Sequence, residues 1–130
     1  LCTSSSIMKV FLLVFSLQAT FILAQVDYYD SRYDMFDVDF LVQNPRLLKK
    51  YIECFLDKGP CTPIGKVFKS VLPEVISTAC ARCTPSQKRF ARKTFEAFKR
   101  QLAQSYDELL RNLDPDNIYY EKFEKAVANI

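Results

Sequence analysis

Residues 45–63 read Pro45-Arg46-Leu47-Leu48-Lys49-Lys50-Tyr51-Ile52-Glu53-Cys54-Phe55-Leu56-Asp57-Lys58-Gly59-Pro60-Cys61-Thr62-Pro63. Leu47, Leu48, Tyr51, Ile52, Phe55 and Leu56 recur at three- and four-residue intervals, and this stripe predicts an amphipathic helix over Arg46 to Asp57. Asn44-Pro45 breaks the chain ahead of it, because the residue before a proline is pushed out of helical geometry. Lys58-Gly59-Pro60 closes it. Thr62-Pro63 then offers an N-cap hydroxyl and a proline at the first helical position, opening a second helix that bears Ile64, Val67, Phe68, Val71 and Leu72. A chain that punctuates amphipathic stripes in this way is an all-α chain.

The same reading extends outward. Downstream, Pro73 is expected to interrupt the second helix, with a short further helix to Cys83 turning Val75, Ile76 and Ala79 inward. Thr84-Pro85-Ser86-Gln87 is a capping box, and it starts the longest helix, whose Phe90, Thr94, Phe95, Phe98 and Leu102 share a face. Ser105 to Glu108 suggests a second capping box and a new helix carrying Tyr106, Leu109, Leu110 and Leu113. Asp114-Pro115 stops that helix, and a last one follows with Tyr119, Tyr120, Phe123 and Val127. Upstream, Val38 to Gln43 fits a short helix, while Val26 to Phe36, rich in Tyr and Asp without helical period, reads as an extended arm with Tyr28, Tyr29 and Tyr33 available to pack. The expected fold is a compact bundle of about six short helices.

Composition agrees and removes several functions. The chain has 130 residues, 49% hydrophobic and 25% charged, with only two glycines. That is one domain at most, too poor in glycine for a hairpin-rich β fold. It contains no His, which excludes Ser-His-Asp and Cys-His catalysis and His-containing zinc sites. No spaced nucleophile and base emerge, so an enzyme is not expected and no cofactor is implied. The formal charge of +3 and the lack of a recognition motif speak against nucleic acid. Lys88, Arg89, Arg92, Lys93, Lys99 and Arg100 cluster, and on a helix such a run is most often a solvated face.

Met8-Lys9 precedes an apolar run, Val10 to Ala24, that reads as a secretory signal peptide with cleavage after Ala24; it is too short and interrupted for a membrane span. Residues 1–24 are therefore expected to be leader and signal peptide, with Leu1 to Ile7 lying ahead of the natural-looking Met8, and 25–130 the secreted, extracellular domain. This domain holds Cys54, Cys61, Cys80 and Cys83. Four cysteines allow three pairings. Secretion favours disulfides over thiolate metal ligands, and the local pairing Cys54 to Cys61 and Cys80 to Cys83 is geometrically reasonable. A zinc site using all four, or a redox role for Cys80-Ala81-Arg82-Cys83, are the rivals, the first weakened by its wide leading spacing and the second by the missing strand-helix-strand setting. Local bridges close short loops worth about 2 to 2.5 kcal/mol each, so helix packing must supply most of the stability.

Taken together, the cysteine spacing and the blocks Tyr29 to Asp34, Asn44 with Arg46-Leu47-Leu48, Tyr51 to Cys54, Leu56 to Pro63, Leu72-Pro73, and Cys83-Thr84 with Gln87-Lys88 resemble the insect chemosensory proteins, the family also called olfactory-segment-D-like. The resemblance covers Tyr29 to Phe123. It implies a six-helix soluble fold, disulfides between neighbouring cysteines, and an internal apolar channel for long-chain ligands such as fatty acids, alcohols and semiochemicals. It also implies channel or entrance roles for Tyr33, Tyr51 and Tyr106, the family's usual Trp being replaced at Tyr106 and its Tyr-Asp pair by Leu113-Asp114. The C-terminal aromatic corresponds to Phe123.

Joined with the helical stripes, this gives a candidate ligand-binding set of Tyr33, Tyr51, Phe55, Val67, Phe68, Val71, Ile76, Phe95, Leu102, Tyr106 and Leu110, although each position equally suits ordinary core. The expected protein is a monomeric carrier of a small hydrophobic ligand, without metal, nucleic acid or stable membrane insertion, whose receptor partner the sequence does not name. The alternative is a secreted amphipathic defence or membrane-active protein working through the basic face of Lys88 to Arg100.

Overall fold

The computed structural model describes residues 27–130. The signal segment and the boundary after Ala24 lie outside the described residues. A 3-10 turn, Ser31–Met35, is followed by α1 (Val38–Gln43), α2 (Pro45–Phe55), α3 (Pro63–Ser77), α4 (Pro85–Gln101), α5 (Ala103–Leu113) and α6 (Tyr120–Ala128). Among the described residues there is no strand.

The starts of the first four helices are written in their caps. Asp37 accepts the N–H of Phe40 at 3.0 Å, and Asn44 that of Leu47 at 3.3 Å. Thr62 Oγ1 accepts the N–H of Gly65 at 3.0 Å. Thr84 and Gln87 close the expected capping box, Gln87 N–H donating to Thr84 Oγ1 at 3.2 Å and Thr84 N–H to Gln87 Oε1 at 3.0 Å. Gly65 sits close to its neighbours: a Cβ there would stand 3.1 Å from Thr62 Oγ1, tight enough to shift the capping hydroxyl by a few tenths of an ångström, and 3.5 Å from Cys54 Sγ. This close approach seats the first turn of α3 on α2.

Four expectations need correction. The arm is not extended: Asp30 accepts the N–H of Arg32 at 2.8 Å and starts the 3-10 turn, a local side-chain bond that needs no apolar period. Tyr28 stays exposed, whereas Tyr29 and Tyr33 do pack. Pro73 does not divide the second helix; it is exposed inside a continuous α3, so the carbonyl that loses its donor lies on the solvent side while Leu72, Val75 and Ile76 stay buried. No helix runs on to Cys83. Ala79 and Cys80 take left-handed φ of 53° and 60°, and the chain turns there. Finally, Ser105 caps nothing. The chain bends at Leu102, and α5 starts at Ala103 without a side-chain cap.

Disulfides join Cys54 to Cys61 and Cys80 to Cys83, with Cα separations of 5.0 and 5.1 Å. They brace the α2–α3 corner and the turn after α3, and with the sulfurs so engaged the four-cysteine zinc alternative falls. Helix α4 lies centrally, packing on α1, α2, α5 and α6. Leu41, Leu48, Ile52, Ile76, Phe98, Leu109 and Phe123 are sealed in the core.

Candidate functional site

Between α2, α3, α4 and the N-terminal segment lies a cavity of about 470 Å³. Helical spacing builds its walls: Tyr51 and Phe55 come from successive turns of α2, Val67, Phe68, Val71, Leu72 and Val75 from α3, and Phe90, Ala91, Thr94 and Phe95 from α4. The buried Cys80–Cys83 bridge forms part of the floor, and Val38 and Leu41 of α1 complete one side. Tyr29, Tyr33 and Phe36 of the N-terminal segment supply the remaining wall.

The rings meet edge to face. Phe36 lies 5.9 Å from Tyr51, 5.6 Å from Phe68 and 5.6 Å from Phe90, with interplanar angles of 71°, 89° and 82°. Tyr33 meets Phe68 at 6.2 Å. Such pairs place a positive ring edge on a negative face, which favours this wall over a loosely filled one. Polar groups stay at the rim: Asp30, Asp34, Asp37, Asp39, Arg89 and Lys93 are exposed or half-buried, and Lys93 Nζ pairs with Asp39 at 2.8 Å. The interior therefore offers mainly apolar surface, interrupted by the buried, unpartnered hydroxyl of Thr94, and the mouth offers charge.

Of the residues expected from sequence, Tyr33, Tyr51, Phe55, Val67, Phe68, Val71 and Phe95 stand together around this cavity. Ile76, Leu102, Tyr106 and Leu110 do not: Ile76 is sealed core, Leu102 sits at the α4–α5 bend, and Leu110 packs at the core margin. Tyr106 stands behind Phe95, with ring centroids 6.4 Å apart, and its buried hydroxyl pairs with that of Tyr120. Burial, and then the bond to Tyr120, push the Tyr106 phenol well above its ordinary pKa, and burial raises Tyr120 too.

Several wall residues lie outside the expected set, among them Leu41, Leu72, Val75, Phe90, Thr94, Tyr29 and Phe36. Phe90 and Thr94 belong to the recognised stripe of α4, so periodicity could have named them. Tyr29 and Phe36 carry no periodic signal, since a 3-10 turn leaves none. The Tyr29 ring lies under the Arg82 guanidinium, 4.8 Å from the centroid, and its buried hydroxyl lacks a hydrogen bond of ordinary geometry. Burial and the nearby Glu74 carboxylate push this phenol up to about 12. Among the described residues, no three His, Cys, Asp or Glu side chains form a metal-binding group.

A model of the insect pheromone-binding family, A10/OS-D, matches residues 29–121. The chain belongs to that family. The OS-D chain is 38% identical over 102 residues to Allergen Tha p 1 of Thaumetopoea pityocampa, covering 78% of this chain and 81% of the relative. It is 31% identical, with the same coverage, to Ejaculatory bulb-specific protein 3 of Drosophila melanogaster. A solved chemosensory protein in complex with bromo-dodecanol superposes with a TM-score of 0.67 at 31% identity, over 75% of this chain and 97% of that one. The helices, the two neighbouring-cysteine bridges and the family agree, and membership makes this OS-D chain a binding protein rather than an enzyme.

Proposed function

We propose that the protein is a secreted carrier that holds one small hydrophobic long-chain molecule, such as a fatty acid, alcohol or semiochemical, in the cavity between α2, α3, α4 and the N-terminal segment. The cavity carries this reading: about 470 Å³, walled by rings and aliphatic side chains, is within the range of small-molecule sites. The solved relative with bromo-dodecanol supports it. At about 0.8 kcal/mol per buried methylene, a chain of roughly twelve carbons gains on the order of 10 kcal/mol gross. Association and ordering cost several kcal/mol, so micromolar affinity is expected. Selectivity is by length and shape, because an apolar wall has few groups with which to reject a related chain.

In this reading Tyr33, Tyr51, Phe55, Val67, Phe68, Val71 and Phe95 touch the ligand, while Ile76, Leu102, Tyr106 and Leu110 support the wall from behind. Secretion rests on the apolar segment Val10 to Ala24, cleaved after Ala24, and the carrier acts as a monomer. Among the described residues no helix is long and apolar enough to cross a membrane.

Native mass spectrometry of the oxidised protein, titrated with fatty acids and long-chain alcohols, tests the proposal. One adduct per chain with an optimum at intermediate length is the expected result. A folded, correctly bridged protein without adducts would defeat it.

A further inference from the structure

The cavity wall is not uniformly held. Its helical sides are tied by buried packing and by the two disulfides, whereas the 3-10 turn Ser31–Met35 contains no buried residue. Few other polar bonds hold this wall. Gln87 Nε2 donates to Tyr29 O, Asp30 O and Asp34 Oδ1 at 3.4, 3.2 and 3.0 Å. Arg82 adds the second attachment, its carbonyl accepting the Tyr29 N–H at 2.9 Å and its Nε donating to Asp27 O at 2.6 Å. Arg82 also pairs through Nη2 with the exposed Asp27 carboxylate at 3.4 Å and lies over the Tyr29 ring, and beyond these the segment rests on the cavity through Tyr29, Tyr33 and the ring of Phe36. Elements with few buried contacts and exposed bonds open at lower free energy than a packed core.

We propose that residues 27–37 form the door of the cavity and that Gln87 is its latch, so that ligand exchange proceeds by release of this segment rather than by separation of the helices. This rests on the carrier reading. One side chain does two jobs: Gln87 Oε1 accepts the N–H of Thr84 and completes the cap of α4, while its amide N–H groups face outward to the segment. The cap uses the oxygen and the door uses the nitrogen. A carboxylate at this position keeps the first role and reverses the second, setting an acceptor against two backbone carbonyls and the Asp34 carboxylate. When the segment lifts, Phe36 leaves its three ring partners and uncovers the apolar interior.

Gln87→Glu is the discriminating variant. A fluorescent long-chain alcohol serves as the probe, its dissociation followed by stopped flow, with amide exchange of the Tyr29 N–H measured on the same samples. The expected result is a probe off-rate raised roughly tenfold or more, the size that loss of a few hydrogen bonds gives, with faster exchange at Tyr29 and unchanged helix content. Bound probe should slow exchange at Tyr29 more than within α3. Arg82→Gln removes the guanidinium bonds to Asp27 and its stacking on Tyr29, along with the pair to Glu74, while leaving the Arg82 carbonyl on the Tyr29 N–H and all of α4 untouched. It loosens the same segment from the other side and should raise the off-rate in the same direction if the first variant folds poorly. Off-rates and Tyr29 exchange that ignore both variants, in a protein that binds the probe, overturn the latch alone. A wild-type protein that binds no probe overturns the carrier reading and the latch with it.

Discussion

Asp114 shows how one side chain can begin an element. It is only 5% exposed, yet its carboxylate accepts three backbone N–H groups, from Ile118, Tyr119 and Tyr120, all at 3.0 Å. Burial alone would raise its pKa, but these donors outweigh burial and the group is held below the usual carboxylate value. A lowered folded pKa contributes stability above the unfolded value near 4, and that contribution is lost as pH falls through the folded value. Asp114→Asn, which gives up one anionic acceptor, should lower the melting midpoint by a few degrees at pH 7, and the gap from wild type should narrow as both are acidified. Thermal melts across pH check this. The phenols of Tyr29, Tyr106 and Tyr120 carry the opposite sign. Their pKa values are raised on folding, so their stabilisation is full below about pH 10 and fades as pH rises further. Absorbance titration should find these three ionising late, those of Tyr106 and Tyr120 together with unfolding.

At the scale of elements, the ends of helices explain more than their middles. The reciprocal bonds of Thr84 and Gln87 begin α4, the central helix, and Thr84→Ala should cost about 1 kcal/mol in denaturant titration. The end of α3 works differently. Ala79 sits at a φ of 53°, a region that side chains disfavour and glycine accepts. Ala79→Gly should therefore raise stability by about 0.5 to 1 kcal/mol, since this turn is native and the strain is relieved. Such positions also show where periodicity misleads. Pro73 marks a break for a reader who considers only the lost hydrogen bond, yet its ring faces outward and the buried stripe of Leu72, Val75 and Ile76 holds α3 straight through it. Ser105 and Glu108 have the letters of a capping box but lie inside α5, because the bend comes at Leu102, where the chain must turn to keep Phe98 and Tyr106 in one core.

For the whole molecule, the charged rim and apolar interior separate two kinds of selectivity. No His is present, and the titratable groups at the mouth are carboxylates, arginine and lysine. Affinity for a neutral long-chain alcohol should therefore change little between about pH 5 and 8, as a fluorescence titration would reveal. Filling the cavity tests its role directly. Val71→Trp should abolish adducts of the longer ligands while leaving the protein folded, because the larger ring takes space that is empty between α2 and α4; native mass spectrometry and circular dichroism on one sample would separate blocked binding from misfolding. Retained binding of every chain length would place the site elsewhere.

The amphipathic stripes, caps and proline breaks of this chain specify helices by local physics, so α1, α2 and α4 and the class of the fold are legible in the letters. The rings of Tyr51, Phe55, Phe68 and Phe95 are legible too, as apolar positions. What the letters do not encode is which of them face a filled core and which an open space. Phe95 and Tyr106 read alike in sequence, yet one borders the cavity and the other closes the core behind it with Tyr120. That difference depends on how distant helices lean together. Equally, the N-terminal segment has no period to announce it, and becomes a wall because its rings pack on α2, α3 and α4 and because it bonds to Gln87 and Arg82, more than fifty residues away. Periodicity is a property of neighbours along the chain, and a cavity is a property of neighbours in space.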